Sequence, residues 1–270
     1  MKEDCIKKIR EFTKCGFVRF LPSGDAATFA AFYLAKQMNQ KAFMLIPDTA
    51  GWLSYETHPK ILGFEVKKIK TDSGIIDLID LDANVEKGSA FIFSNPAGYF
   101  AEQPLPQIYD VCKGRCVCIL DVSGSLGDEG LCNGNNADIV IGSFGKWKPI
   151  NLGYGGFIAA KENIFARHAG FFRMFKANID YKKLYEKLSN AGKRFEFFYK
   201  KAGEIKKDLS EFDIVHRDKK GINVVARFKD EAEKERIIKY CEDKGYEYTI
   251  CPRYLRVNED AVSIEVKRLE

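Results

Sequence analysis

The sequence predicts an α/β protein. A mostly parallel sheet with helices on both faces occupies residues 1–165, and a linking helix and a small α+β domain occupy 166–270. Three observations predict it. Short β-branched apolar runs alternate with helical stretches from Phe17 to Ala160, the order of successive βα units. Residues able to hold a ligand fall just after those runs, where open α/β sheets bind ligands. Beyond Lys161 the character changes: 161–207 carries 13 Lys and Arg against 5 Asp and Glu, and short strands follow it.

Taken in order, residues 3–14 have the spacing of a short amphipathic helix. Phe17–Leu21 reads as a strand, Pro22-Ser23-Gly24 as a turn, and Asp25–Met38 as a helix. Ala42–Ile46 is a second strand, followed by Pro47–Trp52 and a helix to Leu62. After Gly63 come a strand at Phe64–Ile69 and another at Ala90–Ser94, which leads into Asn95-Pro96-Ala97-Gly98. A helix at Leu105–Cys112 precedes the strand Cys116–Leu120, which ends at Asp121. Ala137–Gly142 and Phe157–Ala160 have the length and β-branched content of buried strands. The segment 161–207 reads as long helix, with Phe171, Phe172, Phe175, Tyr181, Leu184, Leu188, Phe195, Phe198 and Tyr199 near helical spacing. Strands at Asp213–His216, Gly221–Phe228, Tyr246–Cys251, Tyr254–Val257 and Ala261–Val266, with a helix at Glu231–Lys244, make up the small domain.

With 270 residues the chain can bury a substantial core. Hydrophobic content of 46%, 30% charged residues and a net charge of +5 describe an ordinary globular protein. That charge does not argue for nucleic acid, and the basic 161–207 segment reads as the solvated face of a helix. No apolar run approaches membrane-spanning length and the N-terminus shows no signal region, so a cytoplasmic location is expected. Eight cysteines in such a chain are expected to be reduced thiols. Cys112, Cys116 and Cys118 lack the paired spacing of a zinc site, so no metal is expected.

The stretch Ser143–Gly156, S-F-G-K-W-K-P-I-N-L-G-Y-G-G, joins two apolar runs and holds two lysines and four glycines. A lysine between core strands is costly unless it is neutral, paired or covalently used. Lys146 and Lys148 would share a face on an extended backbone, so direction alone does not separate them. The stretch resembles the lysine segment of the DegT-type sugar aminotransferases, pyridoxal 5'-phosphate (PLP) enzymes of fold type I. On that resemblance Ser143 and Phe144 end a strand, Lys148 is the Schiff-base lysine, and Gly155-Gly156 follow; Tyr154 stands where the family has an acid. Lys146 fits only a shorter S-x-x-K spacing.

The resemblance implies further roles. Asp121 would hold the pyridine nitrogen, with Ser123 beside it, while Gly124 replaces the family's glutamine. Trp52, eleven residues before Gly63, would stack on the ring. Ser23, Gly24, Asp25 and Ala26 would form the phosphate cup at a helix N-terminus, where backbone N–H groups bind anions. Asp25 replaces a threonine there, and its carboxylate either repels the phosphate or caps its own helix. In the second case Thr28 or Ser143 would supply the hydroxyl. Arg256, in Y-L-R-V-N, would bind a substrate carboxylate through its fork, against the plainer reading of a solvated arginine.

The resulting expectation is a PLP-dependent aminotransferase. It would use Lys148 and Asp121 on a small-molecule amino donor and acceptor, including a sugar. It would be a homodimer, with the aromatic 171–199 stretch as part of the contact. Two rivals are a cysteine desulfurase or lyase using Cys132, in the Gly-rich stretch 127–134, and a non-catalytic PLP-fold binding protein.

Overall fold

The computed structural model describes residues 1–269. In chain order the elements are α1 (Lys2–Thr13), β1 (Phe17–Leu21), α2 (Gly24–Met38), β2 (Phe43–Pro47), α3 (Ser54–Ile61), β3 (Glu65–Ile69), a hairpin of β4 (Thr71–Asp72) and β5 (Ile75–Ile76), and α4 (Leu78–Asn84). Then follow β6 (Gly88–Ser94), α5 (Leu105–Cys112), β7 (Val117–Asp121), β8 (Ile139–Ser143), β9 (Gly156–Ala160), α6 (Ala169–Phe172), α7 (Tyr181–Ser189) and α8 (Ala191–Asp208). The chain closes with β10 (Asp213–Ile214), β11 (Val224–Arg227), α9 (Glu231–Lys244), β12 (Tyr248–Ile250) and β13 (Ala261–Ile264).

Seven strands form one sheet in the order β1-β9-β8-β7-β6-β2-β3. Its ladders are parallel except that β9 runs antiparallel to both of its neighbours. Side chains alternate between two buried faces, the period-2 rule for a sheet covered on both sides. Along β7, Cys118 and Leu120 enter one cluster with Ile9, Leu81, Ile108 and Leu184. Val117 and Ile119 enter the other, with Ala27, Ala30, Ala31 and Tyr55 of α2 and α3. Asp121 and Ser143 continue the second register at the ends of β7 and β8, so both belong to the face that α2 and α3 cover.

A second sheet, β10-β11-β13-β12, is antiparallel throughout and packs with α8 and α9 in a separate cluster around Phe198, Ile205, Ile237 and Val262.

Several expectations are corrected. The 161–207 segment is not one helix: α6 has four residues, residues 173–180 carry no helix, and α7 and α8 start separately. Asp180 accepts the Lys183 N–H and caps α7, and the aromatic residues on either side serve different clusters. Residues 254–257 form turns rather than a strand, because Arg253 N–H and Arg256 N–H close local bonds to Val257 O and Arg253 O. The hairpin β4–β5 and α4 lie where the sequence carried no assigned element.

Candidate functional site

Ser23 caps α2: its Oγ accepts the Ala26 N–H at 3.0 Å. Helix geometry leaves the amides of Gly24 and Asp25 at the head of α2 without intrahelical acceptors. The end of β8 lies against this head. A Cβ on Gly24 would fall 2.6 Å from Ser143 Cβ, so glycine is what lets the two meet. Ser143 Oγ accepts the Gly145 N–H at 3.1 Å, and the Ser143 N–H donates to Ser123 Oγ at 2.9 Å. Thr28 Oγ1 donates to Gly24 O one turn back, so its hydroxyl proton is spent inside α2.

Asp25 is neither the helix cap nor unpartnered. Its Oδ1 accepts the Trp52 Nε1–H at 2.8 Å and fixes the indole beside the head of α2. Of the two alternatives for the carboxylate, the one in which it caps its own helix is corrected, since Ser23 is the cap.

Asp121 is buried at the end of β7. Tyr55 OH donates to its Oδ2 at 2.6 Å and the Ser123 N–H to its Oδ1 at 2.8 Å. Burial, then the adjoining Asp121, push the Tyr55 phenol well above its ordinary value, which keeps it a donor.

The two lysines are separated by the backbone between them. Trp147 has φ +64°, a left-handed conformation uncommon for a non-glycine residue, so the K-W-K run is not extended. Lys146 is exposed, with its ammonium over the Trp147 ring at 4.6 Å. Lys148 turns inward: its Nζ donates to Tyr99 OH at the edge of that ring and stands over the face of Trp52, 4.6 Å from its centroid.

Tyr99 escaped the sequence reading and is central. Its φ of +75° follows Gly98, and its carbonyl accepts the N–H groups of Ile222 and Asn223 at 2.7 and 2.9 Å. Its ring lies against Gly124, where a Cβ would meet it at 2.8 Å. Gly124 thus admits a tyrosine ring where the resemblance expected a polar side chain. Only the glycine was a signal in the sequence.

Arg256 is buried at 6% exposure, not solvated. Its Nε and Nη2 donate to Oε1 and Oε2 of Glu265 at 3.0 and 2.9 Å, and its Nη1 to Leu255 O at 2.8 Å. Glu265 also receives Lys267 Nζ, Asn223 Nδ2 and Ser263 Oγ. Arg256 and Lys267 both stand over the Tyr99 ring, at 5.1 and 4.8 Å.

The contacts close a circuit. Asp121 leads through Ser123 and Ser143 to the head of α2, through Asp25 to Trp52, then to Lys148, Tyr99 and Gly124. The eight cysteines are all buried; Cys132 Sγ donates to Phe12 O, and burial pushes its thiol up to about 12. Among the described residues no group of three or more His, Cys, Asp or Glu is arranged to hold a metal, and no helix is long and apolar enough to cross a membrane.

Residues 192–270 match the model of the MJ1341 family C-terminal domain. No curated protein matches the chain. Solved structures match nearly its whole length at low identity. A GDP-4-keto-6-deoxymannose-3-dehydratase with bound GDP-perosamine is 12% identical at a TM-score of 0.74, covering 97% of this chain and 88% of that one. An apo cysteine desulfurase from Thermococcus onnurineus NA1 is 12% identical at 0.71, covering 97% and 77%. A serine palmitoyltransferase from S. paucimobilis with a bound PLP–myriocin aldimine is 14% identical at 0.72, covering 97% and 70%. The chain has the α/β fold of fold-type-I PLP enzymes.

Proposed function

We propose that the chain is a PLP-dependent enzyme, an aminotransferase in which Lys148 forms a Schiff base with the cofactor and Asp121 holds the ring nitrogen. The observation that carries this reading is the inward lysine: Lys148 Nζ lies on the face of Trp52 and against Tyr99 OH, inside the circuit that contains Asp121. A solvated loop lysine, such as Lys146, has no such surroundings.

The residues present fit the cofactor. A flat ring needs a platform, and the Trp52 indole is fixed by Asp25. A ring nitrogen needs an anion, and Asp121 keeps lone pairs beyond those that Tyr55 and Ser123 use. A phosphate needs donors, and the Gly24 and Asp25 amides with the Ser143 hydroxyl lie at one helix head. The Asp25 carboxylate is the one group that opposes a phosphate there.

When bound, PLP supplies an aldehyde for an amine and a ring that draws electrons from the substrate carbon. Lys148 would bind that aldehyde, and its free amine would move a proton at the substrate carbon. Tyr99 orients Lys148 through its hydroxyl. Asp121, held by the Tyr55 phenol that stays protonated, would hold the ring nitrogen in its protonated form. Trp52 would cover one ring face against water.

The desulfurase reading loses its candidate, because Cys132 is wholly buried and bonded to Phe12 O. The non-catalytic reading differs in its outcome at Lys148. We also take residues 1–165 as the cofactor-binding part, 166–270 as the linking and small part, and a homodimer as the assembly.

The visible spectrum of the protein with PLP tests the reading. An absorbance band bleached by borohydride, with the pyridoxyl group then mapped to Lys148 by peptide mass, is expected. PLP bound without any reduced adduct would leave the non-catalytic binding protein.

A further inference from the structure

We propose that the free edge of β1 is a docking site for an extended segment of another protein, one that carries an acidic residue between two apolar ones. The proposal does not depend on the Lys148 reading.

β1 ends the seven-stranded sheet, so one side of its backbone has no neighbouring strand. Which groups lie on that side follows from the alternation of the ladders. Ile141 O accepts the Val122 N–H, so Ile141 faces β7 while Val140 and Gly142 face β9. Their partners Ala159 and Phe157 face β8, which leaves Gly156, Ile158 and Ala160 to face Leu21, Arg19 and Phe17. The N–H and C=O groups of Val18 and Phe20 therefore point away from the sheet. Among the described residues no hydrogen bond reaches any of these four groups.

A cavity of about 460 Å³ lies along this edge. On the sheet face of the Val18 and Phe20 side chains it is walled by Ile6 and Tyr181, and the Phe20 and Tyr181 rings meet at 5.2 Å. On the other face it is walled by Phe172 and Phe175, and the Arg19 guanidinium lies over the Phe172 ring at 5.1 Å. Charges on edge strands often stand guard against pairing. An arginine laid against an aromatic wall leaves the edge open. Residues 173–180 pass round the edge from the Phe172 core to the Ile179 core without bonding to it.

The chemistry of the edge selects its occupant. Two donors alternate with two acceptors at strand spacing, and an extended peptide backbone offers the complement. A free anion would satisfy the two amides but face the two carbonyls. The residue set opposite Arg19 shares its face, where an opposite charge is favourable. Arg19 and Lys2 line the cavity, and neither has an ion-pair partner among the described residues; Glu3 is the one acid in the lining. Arg173 and Lys176, in the passing segment, have no ion-pair partner either. The residues flanking the acid turn to the opposite face, where Ile6 and Tyr181 receive apolar side chains. A second copy of the chain fits less well. The antiparallel register that uses all four groups of both strands sets Val18 against Phe20, and so Arg19 against Arg19, a like-charge pair.

The test uses the full chain, isotope-labelled at valine and phenylalanine nitrogen, and the peptide acetyl-Thr-Val-Glu-Val-Thr-amide. The Val18 and Phe20 amide resonances are assigned by their loss in Val18→Leu and Phe20→Tyr. Through the titration both resonances are expected to move, and their exchange with water to slow. The same peptide with lysine in place of glutamate is expected to bind at least about threefold more weakly, and Arg19→Glu to reverse that order. Resonances unmoved at millimolar peptide overturn the proposal, as does equal binding of the two peptides. Exchange at both amides that is already slow in the protein alone, and quickens on dilution, would give the edge to a second copy and overturn it too. The two peptides compared on the parent chain decide the matter even where Arg19→Glu fails to fold.

Discussion

At the scale of single residues, one backbone angle separates the two lysines. A left-handed Trp147 between them sends Lys146 to solvent and Lys148 to the Tyr99 hydroxyl. Lys148→Ala should abolish the borohydride-sensitive absorbance, whereas Lys146→Ala should keep it, and parallel spectra of the two variants check this. A band lost only in Lys146→Ala would reverse the assignment. Asp25 makes a second residue-scale case. Asp25→Asn keeps an acceptor for the Trp52 indole and removes a negative charge from the head of α2. An exposed charge interaction is worth about 0.2–1 kcal/mol, so PLP should bind up to about fivefold tighter. Quenching of tryptophan fluorescence by PLP measures this, and weaker binding would mean that the phosphate lies elsewhere. Neither geometry was legible beforehand: the extended K-x-K assumption gave both lysines one face, and the Asp25–Trp52 bond spans 27 residues of chain.

At the scale of elements, the strands were legible because burial on both faces leaves dense apolar runs, and the run lengths matched β1, β2 and β6–β9 closely. The positions of Ser143 and Asp121 at strand ends follow from the same runs. What completes the site comes from elsewhere in the chain. Tyr55 reaches Asp121 across 66 residues and Tyr99 reaches Lys148 across 49, so no local pattern announces either. The 161–207 stretch misled because its aromatic residues have near-helical spacing yet serve three different cores. The junction of α2 with β8 offers an element-scale test. Gly24→Ala adds a methyl group 2.6 Å from Ser143 Cβ, at a rigid strand end. Overpacking of this kind costs about 1–3 kcal/mol. The variant should melt earlier and bind PLP more weakly, and Ser143→Gly added to it should restore stability by removing the obstructing Cβ. A Gly24→Ala protein as stable as the parent would show that α2 and β8 separate easily.

At the scale of the whole molecule, the cluster around Glu265 ties the C-terminal segment to the Tyr99 loop, and its ionisation makes stability depend on pH. Burial alone would raise the Glu265 carboxyl, but Arg256 and Lys267 overcome that and hold it well below the usual carboxylate range. Its contribution is therefore present above the unfolded carboxyl value of about 4.3 and is lost as pH falls through and below it. Lys267 acts in a different window and with a different origin. Burial lowers its ammonium to about 7, while in the unfolded chain it titrates near 10.4. Between those values the unfolded chain binds a proton that the folded chain has released, so stability rises with pH. Lys267→Met removes that dependence without removing Arg256 from Glu265. Stability of the parent relative to this variant, from urea unfolding at several pH values, should therefore grow by about 2 kcal/mol between pH 7 and 9. The raised thiols and phenols titrate alike in both proteins and cancel in the difference. A difference that stays constant across that range would mean Lys267 remains charged inside the fold. In that case Arg256, Lys267 and Arg268 would face the single Glu265 carboxylate with a standing positive charge next to the Tyr99 ring.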